Sequence, residues 1–133
     1  SPRAFEKLHL LRKAWPGKIP SQTEFRNEFT WDVLPYPFLY ELYKAWSRKY
    51  NPSGCLMDNK AFIRELKAFV EADGWEVMAS PVRPGNRINR PESLIAEYRL
   101  KEWDGGGSVP PLDKRKKNCK GLCRKVMAAG VVA

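Results

Sequence analysis

The stretch NKAFIRELKAFVEADGWEVMASPVRPGNR (Asn59 to Arg87) reads as a helix running into a strand and then an arginine-bearing turn. Two arrangements fit it: an amphipathic helix packed on a hairpin for stability, or a recognition helix followed by a wing. Asp58 is placed to cap the helix NKAFIRELKAFVEA and Gly74 to close it, while Phe62, Ile63, Leu66, Phe69 and Val70 make its buried face. Opposite that face, Lys60, Arg64 and Lys67 fall at i, i+4 and i+7 on one stripe. The second helix of a helix-turn-helix offers such a stripe to the major groove with its N-terminal residues nearest the base edges. Asn59 there either reads an adenine edge or supports the helix start. For an isolated helix, an ordinary solvated face paired with Glu65 and Glu71 is the simpler reading. The next segment shifts the balance, because PVRPGNRINR carries Arg83, Arg87 and Arg90 with no acid before Glu92. A wing uses such residues against the backbone or in the minor groove. The competing reading is a solubilising loop held by Pro81, Pro84 and Pro91.

Working outward, PRAFEKLHLLRKAW places Phe5, Leu8, Leu11 and Trp15 at helical spacing, and Ser21 with Glu24 makes a capping-box pattern for a second short helix. Pro35 and Pro37 punctuate the chain before FLYELYKAWSRKY, where Phe38, Leu39, Leu42, Tyr43 and Trp46 form a wide apolar stripe. Glu41, Lys44, Arg48 and Lys49 face away, and NPSG (Asn51 to Gly54) is a turn. Within the quoted stretch WEVMA alternates as a strand, and beyond it LIAEYRL reads as a returning strand, with a Pro/Gly/Asn-rich connection between them. DGGGSVPP (Asp104 to Pro111) reads as a flexible break. LDKRKKNCKGLCRKVMAAGVVA then reads as a basic tail, helical at most in part. Its Lys114, Arg115, Lys116, Lys117, Lys120, Arg124 and Lys125 have no acid among them and suit a sequence-independent phosphate clamp.

The expected fold is therefore mainly α with a small β-hairpin, a winged helix-turn-helix with an N-terminal helical extension and a basic C-terminal tail. The expected boundaries are 1–34 for the extension, 35–103 for the winged helix and 104–133 for linker and tail.

Composition supports this direction. The 133 residues are 43% hydrophobic with five Trp, enough to bury a core, and 24 Lys+Arg against 15 Asp+Glu give a net charge of +9. Such an excess attracts polyanions, nucleic acid first and acidic membrane surfaces second. No apolar run approaches the roughly 18 residues of a membrane span, and charges interrupt the N-terminal segment where a signal peptide would be apolar. Three cysteines, an odd number, argue against a disulfide framework and for an intracellular, reducing compartment. A start at Ser1 without Met is expected of a processed product or of a piece of a longer protein.

Catalytic patterns are sparse. PGKIPS has a Gly-Lys pair but lacks the upstream Gly and the Ser/Thr after Lys of a phosphate-cradling loop. CKGLC sets Cys119 and Cys123 four apart, as two metal ligands on one helical turn would be, but the remaining candidates, Cys55 and the single His9, are distant in sequence. His9 sits among leucines as a packing residue, and Glu28 with Asp32 makes no catalytic constellation. Neither catalysis, metal nor cofactor is expected of this chain. Trp31, Tyr36, Tyr40 and Trp103 would be stacking platforms for unpaired bases if exposed, although their spacing favours the core.

From about Trp31 to Trp103, the strings WDVLPYPFLYELYKAW, NPSG, NKAFIRELK, VRPGN and PESLIAEYRLKEW resemble the region that follows the helicase domain in phage and prophage primase–helicases. The tail string CKGLCRK is similar to the tails of such proteins, less specifically. Those proteins join a primase or primase–polymerase domain to a superfamily 3 ATPase, a hexameric ring motor shared with poxvirus and plasmid replication proteins. The resemblance implies a non-catalytic, winged-helix, DNA-binding accessory domain of a phage-encoded replication protein acting in the host cytoplasm. Its partners would be DNA, single- or double-stranded, and the parent's ATPase domain. Asn59, Lys60, Arg64 and Lys67 would occupy the recognition-helix positions and Arg83, Arg87 and Arg90 the wing. Winged helices also dock on proteins. The alternative is therefore an interaction module for the helicase ring or another replication protein, with an apolar patch around Trp31, Tyr36 and Phe38.

Overall fold

The computed structural model of the chain describes residues 29–50, 52–69 and 75–125. Strand β1 (Val33–Pro35) leads directly into helix α1 (Tyr36–Tyr50), with Pro37 in the first turn, where a missing N–H costs little. Phe38, Leu39, Leu42, Tyr43 and Trp46 are buried, as the apolar stripe requires. On the outer side, Lys44 pairs with Glu41 at 2.8 Å. Helix α2 (Asn59–Phe69) starts where Asp58 caps it, the carboxylate accepting from the Ala61 N–H at 2.7 Å. Two tyrosines pin the turn between the helices: the Met57 N–H donates to Tyr43 Oη and Tyr40 Oη donates to the Met57 carbonyl. Phe62 of α2 stacks on the Tyr43 ring at 4.9 Å.

Strand β2 (Trp75–Val77) follows α2, and β3 is Gly121–Arg124. The three strands form one antiparallel sheet in the order β1-β3-β2. Leu122 pairs with Leu34 on one side and Val77 on the other. Between β2 and β3 the chain makes a 3-10 turn (Gly85–Ile88), helix α3 (Ser93–Glu97), a second 3-10 turn (Lys101–Trp103) and helix α4 (Leu112–Lys116). The result is a small mixed α/β domain of four described helices and a three-stranded sheet. Among the described residues, no helix is long and apolar enough to cross a membrane.

Several expectations change. LIAEYRL is not a returning strand, because Ser93–Glu97 is helical. Glu92 caps it by accepting from the Leu94 N–H, and Leu94, Ile95 and Tyr98 bury one helical face, a spacing that alternation cannot produce. The partner of β2 is therefore β3, and the expected local hairpin is replaced by a long-range pairing. The stretch read as a basic tail supplies the central strand. DGGGS is an organised turn, in which Asp104 Oδ1 accepts from the Gly106 and Ser108 N–H groups, with Gly106 and Gly107 at positive φ. The helices expected before residue 29, with the Ser21/Glu24 box and His9, lie outside the described residues, as do Val70 and Gly74.

Two changes test this topology. Ending the chain at Trp103 removes β3 and should abolish cooperative unfolding, measured by circular dichroism. At Gly121 a Cβ would collide with the Leu34 carbonyl, so Gly121→Ala should destabilise by about 1–3 kcal/mol in urea denaturation.

Candidate nucleic-acid interface

Helix α2 buries Phe62 and Leu66 against the core, half-buries Ile63, and turns Lys60, Arg64 and Lys67 to solvent with Asn59 exposed at its start. The amphipathic period accounts for this orientation, since the cations stand about half a turn away from the buried positions. Lys60, Ile63, Arg64 and Lys67 together line a shallow surface depression. Lys67 lies with its ammonium 5.9 Å from the Tyr36 ring, a contact that steadies one end of the stripe. Burial raises the pKa of Tyr36, and its hydroxyl has no hydrogen-bond partner among the described residues.

The second group of expected residues lies in the connection from β2 to β3. Arg83, Arg87 and Arg90 are all exposed, Arg87 within the 3-10 turn. Backbone geometry fixes Arg90, whose carbonyl accepts from Trp31 Nε1 at 2.8 Å. Helix α4 packs near that turn, and Arg115 Nη1 donates to Asn89 Oδ1 at 3.1 Å. In the sequence the arginine turn and the lysine-rich run are about 25 residues apart, whereas the fold places them side by side. Lys116 and Lys117 are exposed there, while Lys114 is half-buried with its ammonium 5.0 Å from the Trp103 ring. No hydrogen bond or ion pair among the described residues ties the α2 stripe to this platform.

Arg124, one of the tail cations expected to clamp phosphate, is a structural residue. Its Nε pairs with Asp32 Oδ1 at 3.1 Å, and Nη2 donates to the Phe29 and Trp31 carbonyls at 2.7 and 3.0 Å. The guanidinium also covers the Trp75 ring at 4.5 Å. Trp31, Tyr36 and Trp103 are buried at 0, 5 and 3% exposure, and only Tyr40 of the four stacking candidates is half-exposed. The apolar patch expected around Trp31, Tyr36 and Phe38 is therefore core and not surface. A further cationic cluster, Arg48, Lys49 and Arg99, lines a cleft that sequence reading did not single out. Arg99 lies about 50 positions from the adjacent Arg48 and Lys49, so no local signal joins them.

Cys119 and Cys123 lie on extended chain, which sets them about 13 Å apart along β3 and its approach, and not on one helical turn. Among the described residues no three His, Cys, Asp or Glu side chains converge as metal ligands. Burial raises the Cys119 pKa. For Cys123 burial is the largest cause, and the neighbouring Glu76 carboxylate adds to it against a smaller opposing effect of Arg87.

The thiolate is the reactive form, so a raised pKa slows alkylation and moves its half-maximal rate to higher pH. Exposed Cys55 should therefore label first with iodoacetamide at about pH 8, with Cys119 and Cys123 slower, as read by peptide mass spectrometry. Equal rates at all three thiols would contradict the described burial.

Comparison with known proteins adds one finding. The model of the family described as poxvirus D5 protein-like matches residues 22–103, which is more than half of the chain. No curated protein and no solved structure matches. The family match agrees with a replication-related domain of the primase–helicase kind and covers β1, both long helices, β2 and the arginine turn.

Proposed function

The chain belongs to the poxvirus D5 protein-like family, and from that premise we propose that it is a non-catalytic DNA-binding accessory domain of a phage replication primase–helicase. In this reading the domain is a winged helix. Two helices lie between β1 and β2, and β3 returns between those strands. This order supports a winged helix whose recognition helix is α2 and whose wing is the whole of residues 78–120. The parent would carry its catalysis elsewhere, in a primase or polymerase domain and a hexameric ATPase, and would act inside the host cell. The domain would hold DNA beside that motor.

The observation that carries the reading is the exposure of Lys60, Arg64 and Lys67 as one stripe on α2, opposite the face buried in the core. Major-groove entry by such a helix brings its N-terminal residues to base edges and its cations to phosphates. Arg83, Arg87 and Arg90, with Lys114, Arg115, Lys116 and Lys117, would add backbone contacts from the wing. Duplex DNA is the partner this surface suits. Single-strand binding draws on exposed aromatic platforms, and Trp31, Tyr36 and Trp103 are occupied in the core. The same burial removes the patch on which docking to a protein would have rested.

Fluorescence anisotropy with labelled duplex and single-stranded DNA of equal length, at low and near-physiological salt, tests the proposal. Duplex should bind better, with an affinity that falls steeply as salt rises. Replacing Lys60, Arg64 and Lys67 by Ala should leave the fold intact and reduce the slope of log affinity against log salt by about 2–3. A folded triple variant that binds as the parent does would remove the recognition-helix assignment. No binding at low salt would remove DNA binding altogether.

A further inference from the structure

We propose that Arg48, Lys49 and Arg99 form a second site for the phosphodiester backbone, apart from α2 and the wing; the proposal rests on the DNA-binding reading. These side chains line a cleft of ≈ 380 Å³ with Ala45, Glu97 and Tyr98, between the end of α1 and the end of α3. Three cations face one carboxylate. Neither Arg48 nor Arg99 has an ion pair or a side-chain hydrogen bond among the described residues, so Glu97 does not hold either guanidinium in place. Lys49 lies with its ammonium 5.5 Å from the Tyr98 ring, which sets one wall of the cleft.

A purely local explanation covers only part of the cluster. Arg48 and Lys49 occupy the last turn of α1, where cations complement the helix dipole. Arg99 is not on that helix. It follows α3 at the position where the chain reverses: Leu100 N–H donates to the Ile95 carbonyl and Arg99 N–H to the Ala96 carbonyl, the paired bonds of a Schellman motif. Arg99 adopts φ 55, the left-handed conformation that glycine occupies at that position without strain. A long cationic side chain stands where the backbone favours no side chain at all. The local fold gains nothing from it, because the motif's apolar contact comes from buried Leu100 and Ile95. An arginine at such a position, lining a cleft beside two further cations, is disposed toward a ligand and not toward the local fold. Phosphate oxygens match the guanidinium fork, and a chain of +9 draws polyanions to it.

The test separates binding from folding. In the 133-residue chain, Arg99→Gly removes the side chain and relieves the backbone, so the midpoint of thermal unfolding should hold or rise while duplex affinity falls. The double variant Arg48→Ala/Arg99→Gly should weaken duplex binding on the order of tenfold near physiological salt and lower the salt slope by about 2. Parent-like affinity and slope in both variants, with weakened binding in the Lys60/Arg64/Lys67 triple alanine variant, would overturn the cleft and leave the α2 interface standing. A parent chain that fails to bind duplex at low salt would overturn both.

Discussion

Insertion of Gly121–Arg124 between β1 and β2 is the constraint on which the rest of the domain depends. Each outer strand has only three residues, and a pair of that length is marginal in water without a third strand or a helix against it. The central strand supplies backbone partners to both, and Arg124 adds a side-chain fastening. Its guanidinium reaches Asp32 and two carbonyls of the segment before β1 while covering Trp75 of β2. Gly121 permits the approach because the Leu34 carbonyl lies where any Cβ would stand. Residues roughly 90 positions apart thereby become neighbours, and closing so long a loop places an entropic cost on folding that local helices do not carry.

That closure decides what the surface can do. Residues 78–120 must leave the sheet at β2 and return to it at β3, so they fold as an excursion stapled by Glu92, which accepts from Thr30, and by Trp31, which donates to Arg90. The core takes up the aromatics: Phe38 lies 4.7 Å from Trp31 and 5.4 Å from Trp103, joining the N-terminal strand segment, α1 and the excursion. Among the described residues the large rings lie inside, and the cations of α2 and of the arginine turn, with Lys116 and Lys117, stand at the surface.

Local features were legible in the residues themselves. The apolar stripes of α1 and α2 have the period of a helix, Asp58 stands at the boundary where a capping carboxylate belongs, and the cation stripe on α2 follows from the same period. These are short-range consequences of geometry, and the backbone realises them with little choice. LIAEYRL misled because Leu, Ala, Tyr and Leu alternate as a strand would, while the Glu92 cap and the Leu94–Ile95–Tyr98 face favour a helix once a core is present to receive it. Context of that kind overrides strand propensity readily.

What the sequence by itself determined was the existence of two amphipathic helices, the burial of Phe38, Leu39, Leu42, Tyr43 and Trp46 on one and of Phe62 and Leu66 on the other, the excess of positive charge and its clustering in three runs. Tertiary structure alone decided which strand closes the sheet, that the arginine turn and the lysine run share a platform through Asn89 and Arg115, that Arg124 serves the fold, and that Arg99 and Arg48 line one cleft. The physical reason is range. Helical period and capping act over three or four residues and are written locally, whereas strand pairing and charge convergence depend on where the chain returns. That return is selected by the packing of the whole core.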